Sequence, residues 1–356
     1  MTRGPSGLIG LAESIAAYEA GMRAAFGDAL VKKELKRKHE RMREHPFLFL
    51  RATCWRWAEA APVLCPELID APAAPAVGDA HAGNFGLWCD AGARLVWGVN
   101  DFDEAARLPW PLDLVRLCAS IALAIPQPGP EATAEAVLQG YARSLAAPRA
   151  YVLERDHLWL RDAFVADDAK REDFWAEIDD AKPAKSVPPA LREALIAALP
   201  DSTLEPRFAA REAGAGSLGR PRFVASCEHR GGPLAIEAKG LMPSCWIDGR
   251  EPGLAQRIVT GRFRSPDPSV LYTEHHVIRR LAPNGRKLTF TEISAALRLQ
   301  LIDAMGAELA AIHAETEAIR GAIARDLARR NPGWLAVAAI RVAEWSVEEH
   351  LRYRGG

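Results

Sequence analysis

No run of about 18 consecutive apolar residues occurs in this chain of 356, so no membrane-spanning helix is expected. No Cys-x-x-Cys pair occurs either. The six cysteines (Cys54, Cys65, Cys89, Cys118, Cys227 and Cys245) are scattered, which gives a zinc site little support and points to reduced, mostly buried thiols. Neither sign of charge is in excess. There are 45 Lys and Arg against 46 Asp and Glu, a formal net charge of -1, so no global field draws the chain to nucleic acid or an anionic membrane. The opening segment has no uninterrupted apolar core, being broken by Glu13 and Glu19, and reads as no signal peptide. A cytoplasmic protein without nucleic-acid or membrane partners is expected. What is present is ordinary for a globular chain: 49% hydrophobic and 26% charged residues, at a length that allows two lobes with large cores.

Leu11, Ile15, Tyr18, Met22 and Phe26 follow helical spacing and predict a helix over 11–26. A strongly basic helix follows over 31–43. Its interleaved Glu34 and Glu40 favour a solvated face over a phosphate or nucleic-acid patch. The aromatic stretch 45–51, with Trp55 and Trp57, is expected to pack these helices onto the chain below. Pro72 and Pro75 mark an extended connector. Short strands are predicted at 85–88 and 94–99 around a turn at 90–93. Helices follow at 115–124, 131–145 and 190–199, with helix also expected within 151–185. Strands at 223–228 and 234–239 flank Gly231-Gly232, and a further strand is read at 272–281. Helices are expected over 251–263 and 291–318, and again after Pro332.

Chemistry concentrates at 77–104. Gly78-Asp79-Ala80-His81-Ala82-Gly83-Asn84 and Asn100-Asp101-Phe102-Asp103-Glu104 are acidic loops at the two ends of the first hairpin. An Asp, an Asn five positions on, a strand pair and a second Asp make up a phosphoryl-transfer arrangement. Asp79 can accept a hydroxyl proton. Asn84 and Asp101 can hold magnesium, with Asp103 as a further ligand, and His81 can shape the loop. Asp113 opens the next helix, as an N-terminal cap or as an acceptor bracing the first loop.

Further on, Gly214, Gly216, Ser217 and Gly219 belong to a G-x-G-x-x-G run. Strands follow it where a dinucleotide fold would have a helix, which disfavours that fold. Glycines there let backbone N–H groups approach phosphates, and Lys239 on the second strand would reach them. Glu251, at the head of the next helix, is the candidate acidic partner of Lys239.

The acidic loops resemble those of aminoglycoside phosphotransferases and related small-molecule kinases. More closely, GDAHAGNFG, NDFDEA, the Asp113 helix start, GAGSLG, the lysine strand before Pro243-Ser244 and Gln256-Arg257 together resemble the bacterial family known as domain of unknown function 2252, patchily over 45–315. The resemblance implies an α+β, protein-kinase-like two-lobed fold and supplies no substrate. In a standard kinase the glycine loop precedes the catalytic loop. Here the acidic loops come first, and the long helix ending at 309–314 looks like the one that normally enters the catalytic loop. A circular permutation is therefore expected. The 291–318 helix would lie beside Val77, in a mostly helical larger lobe joined to a small antiparallel sheet lobe. The units would be 1–200, 201–285 and 286–356.

The expected activity is ATP- and magnesium-dependent transfer of a phosphoryl group to an unknown small-molecule or protein hydroxyl. Taken singly, each of these residues reads as a turn former or a solvated acid; their joint spacing points to a site. Two alternatives stand beside it: a nucleotide-binding module with little turnover, or one transferring AMP, and a metal-dependent hydrolase using Asp79, His81, Asp101 and Asp103 as ligands.

Overall fold

The structure is a computed structural model and describes residues 7–212, 214, 216–285, 290 and 293–355. It is α+β. Helices α1 (Leu11–Phe26), α2 (Lys32–Glu44), α3 (Pro46–Ala52) and α4 (Cys54–Leu64) open the chain. In α2 the residues at i, i+3 and i+7, Leu35, Lys38 and Met42, turn inward while Lys32, Lys33, Lys36 and Arg37 stay exposed. α3 begins with Pro46, and the His45 side chain accepts the Phe47 N–H, which together define its start.

Next come β1 (Ala73–Ala76), the hairpin β2 (Phe85–Cys89) and β3 (Leu95–Val99), and β4 (Ala106–Pro109), which pairs antiparallel with β1. The expected connector at 71–76 is thus partly strand, since the four residues of β1 find partners 30 to 36 positions on, from Ala76 opposite Ala106 to Ala73 opposite Pro109. Helices α5 (Pro111–Ala124) and α6 (Pro130–Ala146) each start on proline. The 151–185 region is not all helix: β5 (Tyr151–Val152) adds to β3 before α7 (Leu158–Phe164) and α8 (Asp168–Asp180), and α9 (Pro189–Ala197) follows.

Strands β6 (Arg207–Ala210), β7 (Arg222–His229) and β8 (Gly232–Gly240), helix α10 (Leu254–Val259), then β9 (Leu271–Tyr272) and β10 (His276–Leu281) build a five-stranded antiparallel sheet of order β6-β7-β8-β10-β9. The helix expected over 251–263 is only α10, six residues long, entered through Gly253 at φ 70°. Strand alternation sorts β8: Ile236 and Ala238 pack on Leu191 and Leu195 of α9, while Glu237 and Lys239 point to the opposite face. Helices α11 (Ala295–His313), α12 (Glu317–Leu327) and α13 (Trp334–Gly355) close the chain. The start of the helix expected over 291–318 lies outside the described residues. Its end comes early because Thr316 caps α12 on the Ile319 N–H.

The main core gathers α5, α6, α11 and α13 around Trp97, Trp110 and Tyr141. α6 and α11 touch backbone to backbone. A Cβ on Gly140 would stand 1.8 Å from the Asp303 carbonyl oxygen, and one on Gly306 2.1 Å from that of Val137. Among the described residues no helix is long and apolar enough to cross a membrane.

Candidate active site

One face of α5 builds the first acidic loop. Asp113, Arg116 and Ser120 stand at i, i+3 and i+7 in a helix otherwise almost wholly apolar. The Asp113 carboxylate accepts the N–H groups of Val77 (2.7 Å) and Gly78 (3.0 Å). Arg116 donates to one oxygen of Asp79, through Nε at 2.9 Å and through Nη2. Ser120 accepts the Ala82 N–H at 2.9 Å. Behind them, His313 at the end of α11 contacts Asp113 (3.2 Å) and Tyr141 (2.8 Å), and α11 packs beside β1. Gly78 is required here: it has φ 74°, and a Cβ would lie 2.0 Å from the Glu104 carbonyl oxygen. The two acidic loops therefore meet at their first and last residues.

Asn84 ties them again. Its Nδ2 donates to the carbonyl oxygens of Asp79 (3.3 Å) and Asp101 (3.0 Å), and its Oδ1 is buried with no hydrogen-bond partner. His81 accepts the Gly83 N–H, and its other nitrogen lies 3.8 Å from the second Asp79 oxygen. Burial raises the Asp79 carboxyl above the ordinary carboxylate value. Arg116 pulls it down, and Glu104 and Asp101 add to the rise.

Lys239 comes to these loops from the sheet. Its Nζ lies 2.6 Å from Asp103 and 3.6 Å from Asp101, and the side chain is 1% exposed. Arg220 completes the junction, donating to Asp103 (2.9 Å) and Glu104 (3.0 Å). The other Glu104 oxygen accepts the Cys245 N–H at 2.7 Å. Burial and the Asp101 charge push the Asp103 carboxyl up, against the pull of Lys239 and Arg220. Two residues along β8, Glu237 is surrounded by Arg211 (2.9 Å), Arg222 (2.9 Å) and Arg279 (3.8 Å). Burial alone would raise its carboxyl; the three guanidinium groups outweigh it and hold the group well below the usual range.

The segment 214–219 runs over this junction, with Ala215 outside the described residues. Lys38 of α2 donates to the Gly216 carbonyl oxygen at 2.9 Å, beneath the stacked rings of Tyr18 and Trp55. Burial lowers the Lys38 ammonium. The Gly219 N–H donates to Glu34 (3.2 Å), and its carbonyl accepts the Val31 N–H (3.0 Å). Ser217 accepts from Arg222 at 2.7 Å. A cleft of about 710 Å³ opens on one side of the junction, lined by Trp88, Asp101, Ser217, Glu237, Lys239 and Arg279 among others. On the other side is a polar chamber of about 60 Å³ that holds Asp79, Asn84, Tyr18 and Trp55. A larger groove, about 830 Å³, lies apart from all of these residues between α9 and the β7–β8 turn.

Asp79, His81, Asn84, Asp101, Asp103, Gly214, Gly216, Ser217 and Lys239 are thus brought together, although Lys239 and Asp103 are 136 positions apart. Gly219 is near but faces α1, where a Cβ would meet the Met22 side chain at 2.9 Å. Glu251 is elsewhere. It precedes α10 and pairs with Arg107 (2.9 Å) and Arg257, so it is not the partner of Lys239. That partner is Asp103, whose carboxylate is engaged by Lys239 and Arg220 and not open as a metal ligand. The basic helix is solvated as expected except at Lys38, which its place on the Leu35-Met42 stripe could have disclosed. Arg51, Arg116 and Arg220 escaped sequence reasoning. Only the i, i+3, i+7 run of α5 carried a readable signal for one of them.

Residues 30–199 match the family model DUF2252, described as an uncharacterized protein conserved in bacteria. The match covers 170 of the 356 residues, a little under half of the chain. It spans both acidic loops and the α5 brace and ends before the Lys239 strand. No curated protein and no solved structure matches.

Proposed function

We propose that this chain is an ATP-dependent phosphotransferase acting on a hydroxyl, with a kinase-like site divided between two sequence-distant segments in circularly permuted order. One observation carries the reading. Lys239 reaches Asp101 and Asp103 across the junction, while Asp79 and Asn84 stand beside them at the spacing that phosphoryl transfer uses.

The cleft of about 710 Å³ is roomy enough for a nucleotide, whose phosphates Lys239 and the 214–219 backbone would hold. The donor set suits magnesium. The buried, unpartnered Asn84 Oδ1 and the partly open Asp101 carboxylate are two hard oxygen ligands, and such an ion takes the remainder from phosphates and water. When bound, it would neutralise phosphate charge. Asp79 has one oxygen fixed by Arg116, which leaves the other to orient the acceptor hydroxyl and take its proton. The bond from the acceptor oxygen to phosphorus forms as the bond to ADP breaks, and ADP leaves with that electron pair. Among the described residues no three His, Cys, Asp or Glu side chains converge as a metal-holding set, which favours this reading over a hydrolase.

The test combines equilibrium binding of ATP with magnesium and a measurement of ADP formation. Asp79→Asn is expected to lower ADP formation by about 10²-fold or more while nucleotide affinity stays within about threefold. Lys239→Ala is expected to weaken nucleotide binding about tenfold or more. ADP formation unchanged in Asp79→Asn, or activity kept in Lys239→Ala, sinks the proposal.

A further inference from the structure

We infer that Arg51 holds the phosphoryl group in transit between nucleotide and acceptor, a role that rests on the phosphotransferase reading above. Four described residues line both the large cleft and the Asp79 chamber: Arg51, Asp101, Gly214 and Ser217. Arg51 is the one cation of the four. It stands where the two cavities meet, with the nucleotide side before it and the Asp79 side behind.

Its guanidinium differs from Arg116, Arg220 and Lys239 at the junction. Arg116 is paired with Asp79, Arg220 with Asp103 and Glu104, and Lys239 with Asp101 and Asp103. Among the described residues Arg51 has no carboxylate at ion-pair distance, and its Nε is buried without an acceptor. The Phe47 ring supports it at 5.6 Å. A Cβ on Gly83 would come within 3.2 Å of its Cζ, so a glycine in the catalytic loop leaves it room. Burial pulls the guanidinium down, and the charges of Asp79 and Asp101 pull it back up. A half-buried guanidinium with no carboxylate beside it is costly unless an anion completes it, and its fork of donors matches phosphoryl oxygens.

In the transfer, the bond from phosphorus to ADP breaks, the bond to the acceptor oxygen forms, and the hydroxyl proton goes to Asp79. Arg51 gives up no proton. It donates hydrogen bonds to the equatorial oxygens, which are midway between the two cavities only in the transition state. It therefore acts on turnover more than on nucleotide binding.

ADP with magnesium and aluminium fluoride, which imitates a phosphoryl group in flight, tests this without the acceptor. In the wild type, fluoride is expected to tighten ADP retention about tenfold or more. Arg51→Gln should keep the affinity for ADP alone within about threefold and lose the gain from fluoride, and Arg51→Lys should keep part of it. Far-ultraviolet circular dichroism checks that both variants are folded, with Arg51→Lys as the milder change if the first is not. A fluoride gain that survives in Arg51→Gln, or that is missing from the wild type although ADP binds, overturns the role of Arg51. A wild type that does not bind ADP with magnesium overturns the phosphotransferase reading itself.

Discussion

Asp79 holds the balance of charge in its loop. Burial raises its carboxyl and Arg116 counters this, so its proton is lost above the ordinary carboxylate range. In the reaction proposed above Asp79 is the base, and it must be ionised to work. The acid limb of the kcat/KM profile should therefore lie above the usual carboxylate value, with activity rising as pH rises through it. Arg116→Gln removes the opposing charge and should move that limb to higher pH, as a rate profile from pH 4 to 8 would register; a limb that stays put argues against Asp79 as the base. Glu237 has the opposite sign. Its folded value is depressed by three arginines, so the stability it adds is present above the unfolded carboxylate value and fades as pH falls through the folded one. Glu237→Gln leaves those arginines facing one another and should cost roughly 3 kcal/mol at pH 7, by urea unfolding. The gap to wild type should narrow near pH 3, and equal stability at pH 7 would contradict the cluster's role.

Helix α5 shows how much a pattern can disclose. Its apolar residues announce a buried helix, and Asp113, Arg116 and Ser120 announce a polar line along it. What that line faces was not readable, because the loop it braces lies upstream and meets it through backbone N–H groups, which every sequence possesses. Ser120→Ala leaves the buried Ala82 N–H without its acceptor and should lower stability by about 1–3 kcal/mol. Lys38 is the converse case. A basic run suggests solvent, yet helical periodicity puts one lysine on the apolar stripe, under the 214–219 segment. Lys38→Met should keep the packing and lose the bond to Gly216; for the proposed reaction this means a KM for ATP raised severalfold with little change in melting temperature. Where α6 crosses α11, glycines substitute for side chains altogether. Gly306→Val would drive its branches into the Val137 backbone, and a loss of more than about 3 kcal/mol, or no folded protein, is expected on thermal melting.

The sheet and the helical body are joined by buried ion pairs, Lys239 and Arg220 on one side and Asp101, Asp103 and Glu104 on the other. Such pairs stabilise little in net terms, but removing one partner leaves a charge stranded, at about 3–5 kcal/mol. Arg220→Ala should therefore loosen the sheet from the body. Hydrogen exchange would speed up in β7 and β8 and along 100–105 while α6 and α11 stay protected. Uniform exchange across the molecule would mean that the pairs do not govern this junction. α8 and α9 also pack on the sheet.

Period and punctuation were enough to read the helices at 11–26 and 31–43, the hairpins at 85–99 and 223–239, and the acidic loops and lysine strand that meet at the junction. These are local properties, set by side-chain spacing and turn residues over a few positions. Partners across the chain were not local. Glu251 looked right for Lys239 because it was next in line, but Arg107 of β4 claims it, and Asp103, already singled out for a metal, takes the lysine. The arginines were hidden for the same reason: a guanidinium is long, and what it reaches depends on which strands and helices are brought beside it. Strands β1 and β4 are four residues each and exist by pairing with one another. Charge pairing and short-strand pairing act between segments far apart in the chain, so they come into being only when the core has drawn those segments together.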